Sequence, residues 1–201
     1  MKRYVLTGAP GAGKTTVIEE LRRLGHPVVG EAATEVIARR QAAGEAAPWE
    51  DAGFVDRVLA VQQAWEAAAR GGRGGGDVGS GSGSDGGGGG GGGGEVWFFD
   101  RSPVCTLALS RYLERKPSQA LTAEIERIGR AGTYERTVFF LANLGFVEPT
   151  AARRISFEDA LDFERVHREV YAELGYQLCD IAVAAPGERA AAILEVVAVV
   201  G

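Results

Sequence analysis

Gly8-Ala9-Pro10-Gly11-Ala12-Gly13-Lys14-Thr15 puts three glycines, a lysine and a hydroxyl within eight residues. Glycine-like backbone lets successive N–H groups converge on phosphate oxygens at the start of a helix, where the dipole favours anions. Lys14 adds a charge to the outer phosphates, and the Thr15 hydroxyl suits Mg²⁺, with Thr16 extending the set. The spacing predicts a grip on a nucleoside triphosphate, ATP or GTP, through residues 8–16. The competing reading is a chance glycine turn, and the flanking pattern of strand before and helix after opposes it.

Four further groups have chemistry in reach. Asp100 ends an apolar run, where an acid can hold Mg²⁺ directly or through water; it could instead cap a helix or pair with Arg101. The residue after Asp100 is Arg101 rather than a second acid, which argues against a motor-type ATPase that polarises water with Glu. Glu31, at a strand–helix junction, could accept a proton from a substrate hydroxyl during γ-phosphate transfer, or merely complement a helix dipole. Arg153 and Arg154 precede a helix at the stage of the chain where small-molecule kinases carry a lid; the alternative is solvated surface arginine. His26 reads as a turn residue, His167 as an unremarkable helix residue, and Cys105 as a packed thiol. Trp49, Trp65 and Trp97 read as core or loop packing.

The elements that must position these groups follow from apolar periodicity. Short runs at Met1–Thr7, Val28–Gly30, Val96–Asp100, Val138–Leu141 and Leu178–Ala184 predict five strands. Between them, helices are predicted over Lys14–Leu24, Ala32–Ala43, Pro48–Arg70, Val104–Leu113 and Ser118–Arg130. A long helix capped by Ser156 with Asp159, with Phe163, Val166, Val170 and Leu174 inward, and a last helix over Gly187–Val199 complete the set. Alternation of strand and helix predicts a three-layer α/β/α domain with a parallel sheet. From Gly71 to Gly94 the chain is almost only Gly and Ser, so one domain with a disordered linker insert is expected there.

Whole-chain properties narrow the partners. A net charge of -5 with interspersed signs offers no basic face for nucleic acid. Two cysteines without CxxC spacing give no metal or redox site. Without a signal-peptide pattern or a membrane-length apolar run, a soluble, cytoplasmic protein is expected.

The segments TGAPGAGKTT, GEAATEVI, FFDRSP and ARRISFEDALDFERVHREVYAELGY together resemble a group of small predicted P-loop ATPases labelled AAA domains. That group is related to the ribosylnicotinamide kinase half of the bacterial NAD-synthesis regulator NadR and, more broadly, to nucleoside kinases. The resemblance covers nearly the whole chain outside the Gly-rich insert. It implies a P-loop fold with strand order 2-3-1-4-5 and Asp100 on the strand beside the phosphate-loop strand. It makes Glu31 the base after the second strand, and Asp100-Arg101-Ser102 the counterpart of an acid-Arg-Ser motif whose Arg contacts substrate or phosphate. It makes Arg153 and Arg154 lid arginines, and places Ala185-Pro186 where a purine ring often rests. Many relatives carry an Asp shortly after the acid-Arg-Ser motif; Cys105 stands near that position here.

The residues and the resemblance lead to one reading, an Mg²⁺-dependent phosphotransferase acting on a small hydroxylated or nucleoside-like acceptor. Its rivals are a nucleotide-driven regulatory switch and a scaffold that binds nucleotide without turnover.

Overall fold

The computed structural model describes residues 1–70, 95–145 and 156–200. The insert expected at 71–94 and the arginines at 153 and 154 lie outside these residues. Five strands, β1 (Lys2–Thr7), β2 (Val28–Val29), β3 (Val96–Asp100), β4 (Thr137–Leu141) and β5 (Gln177–Ile181), form one parallel sheet. Their order is β2-β3-β1-β4-β5, as the resemblance implied.

The central strands β1, β3 and β4 each carry an unbroken apolar run, because both faces of the sheet are covered there, and alternation sends neighbours to opposite sides. Tyr4, Leu6, Phe98 and Phe139 pack with α1 (Lys14–Arg23) and α7 (Pro186–Val200). Val5, Trp97, Phe99 and Val138 pack on the other face with α3 (Phe54–Arg70), α4 (Pro103–Tyr112), α5 (Gln119–Ala131) and α6 (Phe157–Glu173). Helix α2 (Ala32–Ala42) joins α3 in a smaller apolar cluster. The long helix is capped as its sequence indicates: Ser156 Oγ accepts from Asp159 N–H at 3.0 Å, and its hydroxyl donates to Asp159 Oδ2 at 2.7 Å. Among the described residues no helix is long and apolar enough to cross a membrane.

Two element boundaries differ from the sequence reading. Pro48–Arg70 is not one helix: a 3-10 turn at Pro48–Glu50 is followed by a break at Asp51, whose backbone is extended. The Asp51 carboxylate accepts from Gly53 N–H at 2.6 Å, offering the backbone an alternative to the helix ladder. The Arg115 guanidinium then holds the carbonyls of Trp49, Glu50 and Asp51. Strand β5 stops at Ile181 rather than Ala184, because it lies at the sheet's edge and its only neighbour, β4, ends opposite it at Leu141.

All five strands run the same way, so Thr7, Val29, Asp100, Leu141 and Ile181 share one edge of the sheet. Ligands of open parallel sheets bind at that edge.

Candidate functional site

The phosphate loop leaves β1 at Gly8, whose φ is +142°; a Cβ there would lie 2.6 Å from the Leu141 carbonyl oxygen. Gly11 and Gly13 also have positive φ, so the loop needs glycine at all three positions. Ala9 and Ala12 are fully buried beneath it, while Pro10, Gly11, Gly13, Lys14, Thr15 and Thr16 line a cavity of about 660 Å³. The Thr16 hydroxyl donates to Gly13 O at 2.8 Å. The Lys14 ammonium folds back and donates to Gly8 O at 3.2 Å and Ala9 O at 3.0 Å. Burial and the nearby Arg101 pull its pKa down to about 8, against the opposing pull of Glu31 and Asp100.

A charged cluster faces the loop. Asp100, at the end of β3, is buried, and its Oδ1 has no hydrogen-bond partner among the described residues. Burial and Glu31 push its pKa up to about 7, against Lys14 and Arg101. It does not cap α4; Ser102 does, with Oγ accepting from Val104 N–H at 3.3 Å. Nor is Asp100 the partner of Arg101, whose Nε donates to Glu31 Oε1 instead. Glu31 stands at the N-cap position of α2, yet its carboxylate makes no capping bond and accepts from the Thr34 hydroxyl at 2.9 Å. Burial would raise the Glu31 pKa, but Arg101, Lys14 and the two hydrogen bonds outweigh that and hold it at about 2.

Arg101 sits at φ +74°, a conformation that costs a residue with a Cβ roughly 1–3 kcal/mol. The turn directs its side chain back over the sheet edge, and its N–H donates to Leu6 O at 3.0 Å. Its Nη1 lies 3.3 Å from His167 Nε2, while His167 Nδ1 lies 2.9 Å from Phe163 O. With the ring's proton on Nδ1 and donated to that carbonyl, Nε2 accepts from Arg101. Burial and the Arg101 charge depress the His167 pKa to about 3, so the ring is neutral. His167 is therefore no bland helix residue. Its place four residues after Phe163, on the buried stripe of α6, marks it as inward-facing but gives no hint of Arg101 as its partner.

Residues of α2, α3, α4 and α6 also line the cavity. Ile37, Trp49, Phe54, Val58, Leu109 and Phe163 make this part of the lining apolar, so Trp49 faces the cavity as well as packing. Gln62 is among its polar lining residues: Thr106 Oγ1 donates to Gln62 Oε1 at 2.8 Å, leaving the amide NH₂ as the group's donor. Cys105 is packed as expected. Its Sγ lies 3.1 Å from the Tyr171 hydroxyl and 3.3 Å from Thr7 Oγ1, with one side on the cavity.

Of the residues singled out in the sequence, Lys14, Thr15, Thr16, Glu31 and Arg101 line this one cavity, and Asp100 lies among them. Pro186 is exposed at the start of α7 and is not part of the lining. The lone buried oxygen of Asp100 and the Thr15 hydroxyl are hard oxygen donors that fit Mg²⁺. Among the described residues there is no cluster of three or more His, Cys, Asp or Glu, so such an ion would complete its shell with phosphate oxygens and water.

A family model described as "AAA domain" matches residues 3–75 and 91–189. The chain belongs to this AAA domain family. No curated protein matches it. Among solved structures this AAA domain is similar to deoxyadenosine kinase from M. mycoides, at 14% identity and TM-score 0.54, over 99% of this chain and all of the other. That structure holds the products dCMP and a flexible dCDP. A second structure of the same kinase, with bound dCTP, matches at TM-score 0.53 and 14% identity, over 98% of each chain. At this identity the likeness establishes the P-loop nucleoside-kinase fold for the AAA domain, and no more than the fold.

Proposed function

We propose that this AAA domain is a phosphotransferase that moves the γ-phosphate of ATP or GTP to a hydroxyl of a nucleoside-like acceptor. The observation that carries the reading is the lining of the cavity: one space bordered both by the phosphate loop and by the apolar side chains of Ile37, Trp49, Phe54, Val58, Leu109 and Phe163. Glu31 and Arg101 line the same space. A switch needs only the phosphate loop. The resemblance of its motifs to ribosylnicotinamide kinase makes a ribosylated aromatic ring the first acceptor to try, and the apolar lining suits one.

The roles follow from position and charge. Loop N–H groups and Lys14 hold the outer phosphates, and on binding Lys14 exchanges two carbonyl acceptors for phosphate oxygens. Thr15 and Asp100 would hold Mg²⁺, which would supply neutralisation of phosphate charge. Glu31, ionised at neutral pH, accepts the hydrogen bond of the acceptor hydroxyl and lines that oxygen up with the γ-phosphorus. With a pKa of about 2 it is a weak base, which suits a loose transition state in which the proton leaves late. Arg101 fixes the Glu31 carboxylate and brings positive charge towards the transferring group. Arg153 and Arg154 are proposed to add to that charge from the segment before α6. The purine would lie at the open edge near Pro186, and the cytoplasm is the proposed compartment.

The test has two parts. Titration with MgATP and MgGTP should show tight binding of one of them, lost in Lys14→Ala without a fall in melting temperature. Release of ADP or GDP should rise when a nucleoside of the right class is added. Unchanged affinity in Lys14→Ala, or nucleotide release indifferent to every nucleoside, contradicts the proposal.

A further inference from the structure

Arg189 sits in the first turns of α7, far in sequence from the phosphate loop, and is only 2% exposed. Its Nη1 donates to Ala12 O at 2.7 Å, and its Nη2 reaches Ala142 O at 3.1 Å and Ile181 O at 3.3 Å. One guanidinium thus ties the phosphate loop to the residues at the ends of β4 and β5. Among the described residues no carboxylate pairs with it, and its Nε has no partner. Burial lowers its pKa, and no charge among the described residues contributes. An arginine stays protonated in a protein, so a full positive charge lies buried here with only carbonyl dipoles of the described residues around it.

The position of that charge is specific. Nη1 would lie 3.3 Å from a Cβ on Gly13, so the guanidinium packs against the loop at Gly13 without itself lining the cavity. In a trans peptide the C=O and the following N–H point in opposite directions. Holding the Ala12 carbonyl therefore turns the Gly13 N–H away from the guanidinium, and Gly13 itself lines the cavity. A scaffold that needed only to tie three carbonyls together could do so with neutral donors and avoid burying an unpaired charge.

We propose that Arg189 is a positioning residue for the phosphates: it aims the Gly13 N–H and provides a buried positive charge whose counter-charge is the bound polyphosphate. The proposal rests on the nucleotide-binding reading of the loop. It adds that affinity depends on the number of phosphates through a residue outside the loop and outside the cavity.

The experiment compares wild-type, R189Q and R189K full-length protein. Each is titrated with whichever of ATP and GTP the wild type binds more tightly, and with its di- and monophosphates. Melting temperatures are measured in parallel. R189Q keeps a donor for Ala12 O and loses the charge. Its affinity for the triphosphate should fall about 10- to 100-fold, the worth of a charged hydrogen bond, and that for the monophosphate only about two- to threefold. R189K keeps the charge and should retain the wild-type ratio of triphosphate to monophosphate affinity within about fivefold. An equal loss for all three nucleotides in R189Q, or no loss, means that Arg189 only braces the strand ends and overturns the proposal. If R189Q does not fold, R189K decides alone: a folded protein whose triphosphate preference has collapsed overturns it. Wild-type protein that binds neither nucleotide defeats the underlying reading, a result distinct from any change among the variants.

Discussion

Buried charge collects at both ends of the sheet, and the two collections are built differently. At the N-terminal end, Glu66 and Glu124 are nearly inaccessible. Arg127 donates to both carboxylates, Gln63 donates to Glu124 at 2.9 Å, the Tyr134 hydroxyl reaches Glu66 at 3.4 Å, and Arg3 lies 3.8 Å away. Two acids meet two arginines, and polar neighbours take up further oxygen valences. At the C-terminal end, among the described residues, Lys14 rests on backbone carbonyls, Asp100 has a bare oxygen and Arg189 has no acid. Of the buried groups described there, Glu31 and Arg101 form the one ion pair. A fully satisfied network holds elements together; an unsatisfied one in the same protein is held in place for something that arrives.

Substitutions at the two ends should therefore fail in opposite ways. The largest effect is expected from Asp100→Asn. It should lower phosphoryl transfer by roughly 10²–10³-fold, as loss of one electrostatic stabiliser commonly does. Melting temperature should stay level or rise, since a buried carboxylate with an unpaired oxygen and a pKa of about 7 gives way to a neutral amide. Thermal melts and transfer rates on the same preparation check both. Arg127→Met is the converse. It leaves two buried acids short of their cation and should cost about 3 kcal/mol of stability by denaturant titration, with nucleotide affinity unchanged. If that variant lost nucleotide affinity instead, the division between the two ends would not hold.

His167 sharpens the comparison through pH. Its folded-state pKa of about 3 lies below the ordinary value of 6.5, so below pH 6.5 the unfolded chain binds a proton that the folded chain refuses. The contribution of His167 to stability therefore rises with pH between about 3 and 6.5 and is lost on acidification, by about 2 kcal/mol from pH 7 to pH 5. Asp100, with its pKa raised to about 7, works the opposite way over the same range, so the wild type should change little. His167→Gln, unfolded beside wild type at both pH values, should gain about 2 kcal/mol relative to wild type on going from pH 7 to pH 5. The same change in variant and wild type would mean that His167 does not carry it.

The sheet was legible because each strand is a run of apolar residues, and the phosphate loop because its glycines, Lys14 and Thr15 are contiguous. Glu31 and Asp100 could be found because each closes a strand at the edge where ligands bind. His167 and Arg189 could not be found in this way. Arg189 touches Ala12 across 177 residues and Ala142 across 47, and its acceptors are carbonyls, which carry no sequence signal. His167 acts through Arg101, 66 residues away, on a helix whose inward stripe looks the same with or without it. The break at Asp51 was hidden because the helical period continues on both sides of a local side-chain turn.

The most direct measurement follows the label from γ-labelled ATP or GTP into phosphorylated acceptor and into inorganic phosphate, in wild type and in Glu31→Gln. The variant keeps the size of Glu31 and can still hydrogen-bond, but cannot take a proton. Acceptor phosphorylation should fall roughly 10²–10⁴-fold, the range for loss of a general base, while nucleotide affinity holds and hydrolysis by water falls less. Wild-type label that reaches only inorganic phosphate, whichever nucleoside is present, or full acceptor phosphorylation by Glu31→Gln, would contradict the account.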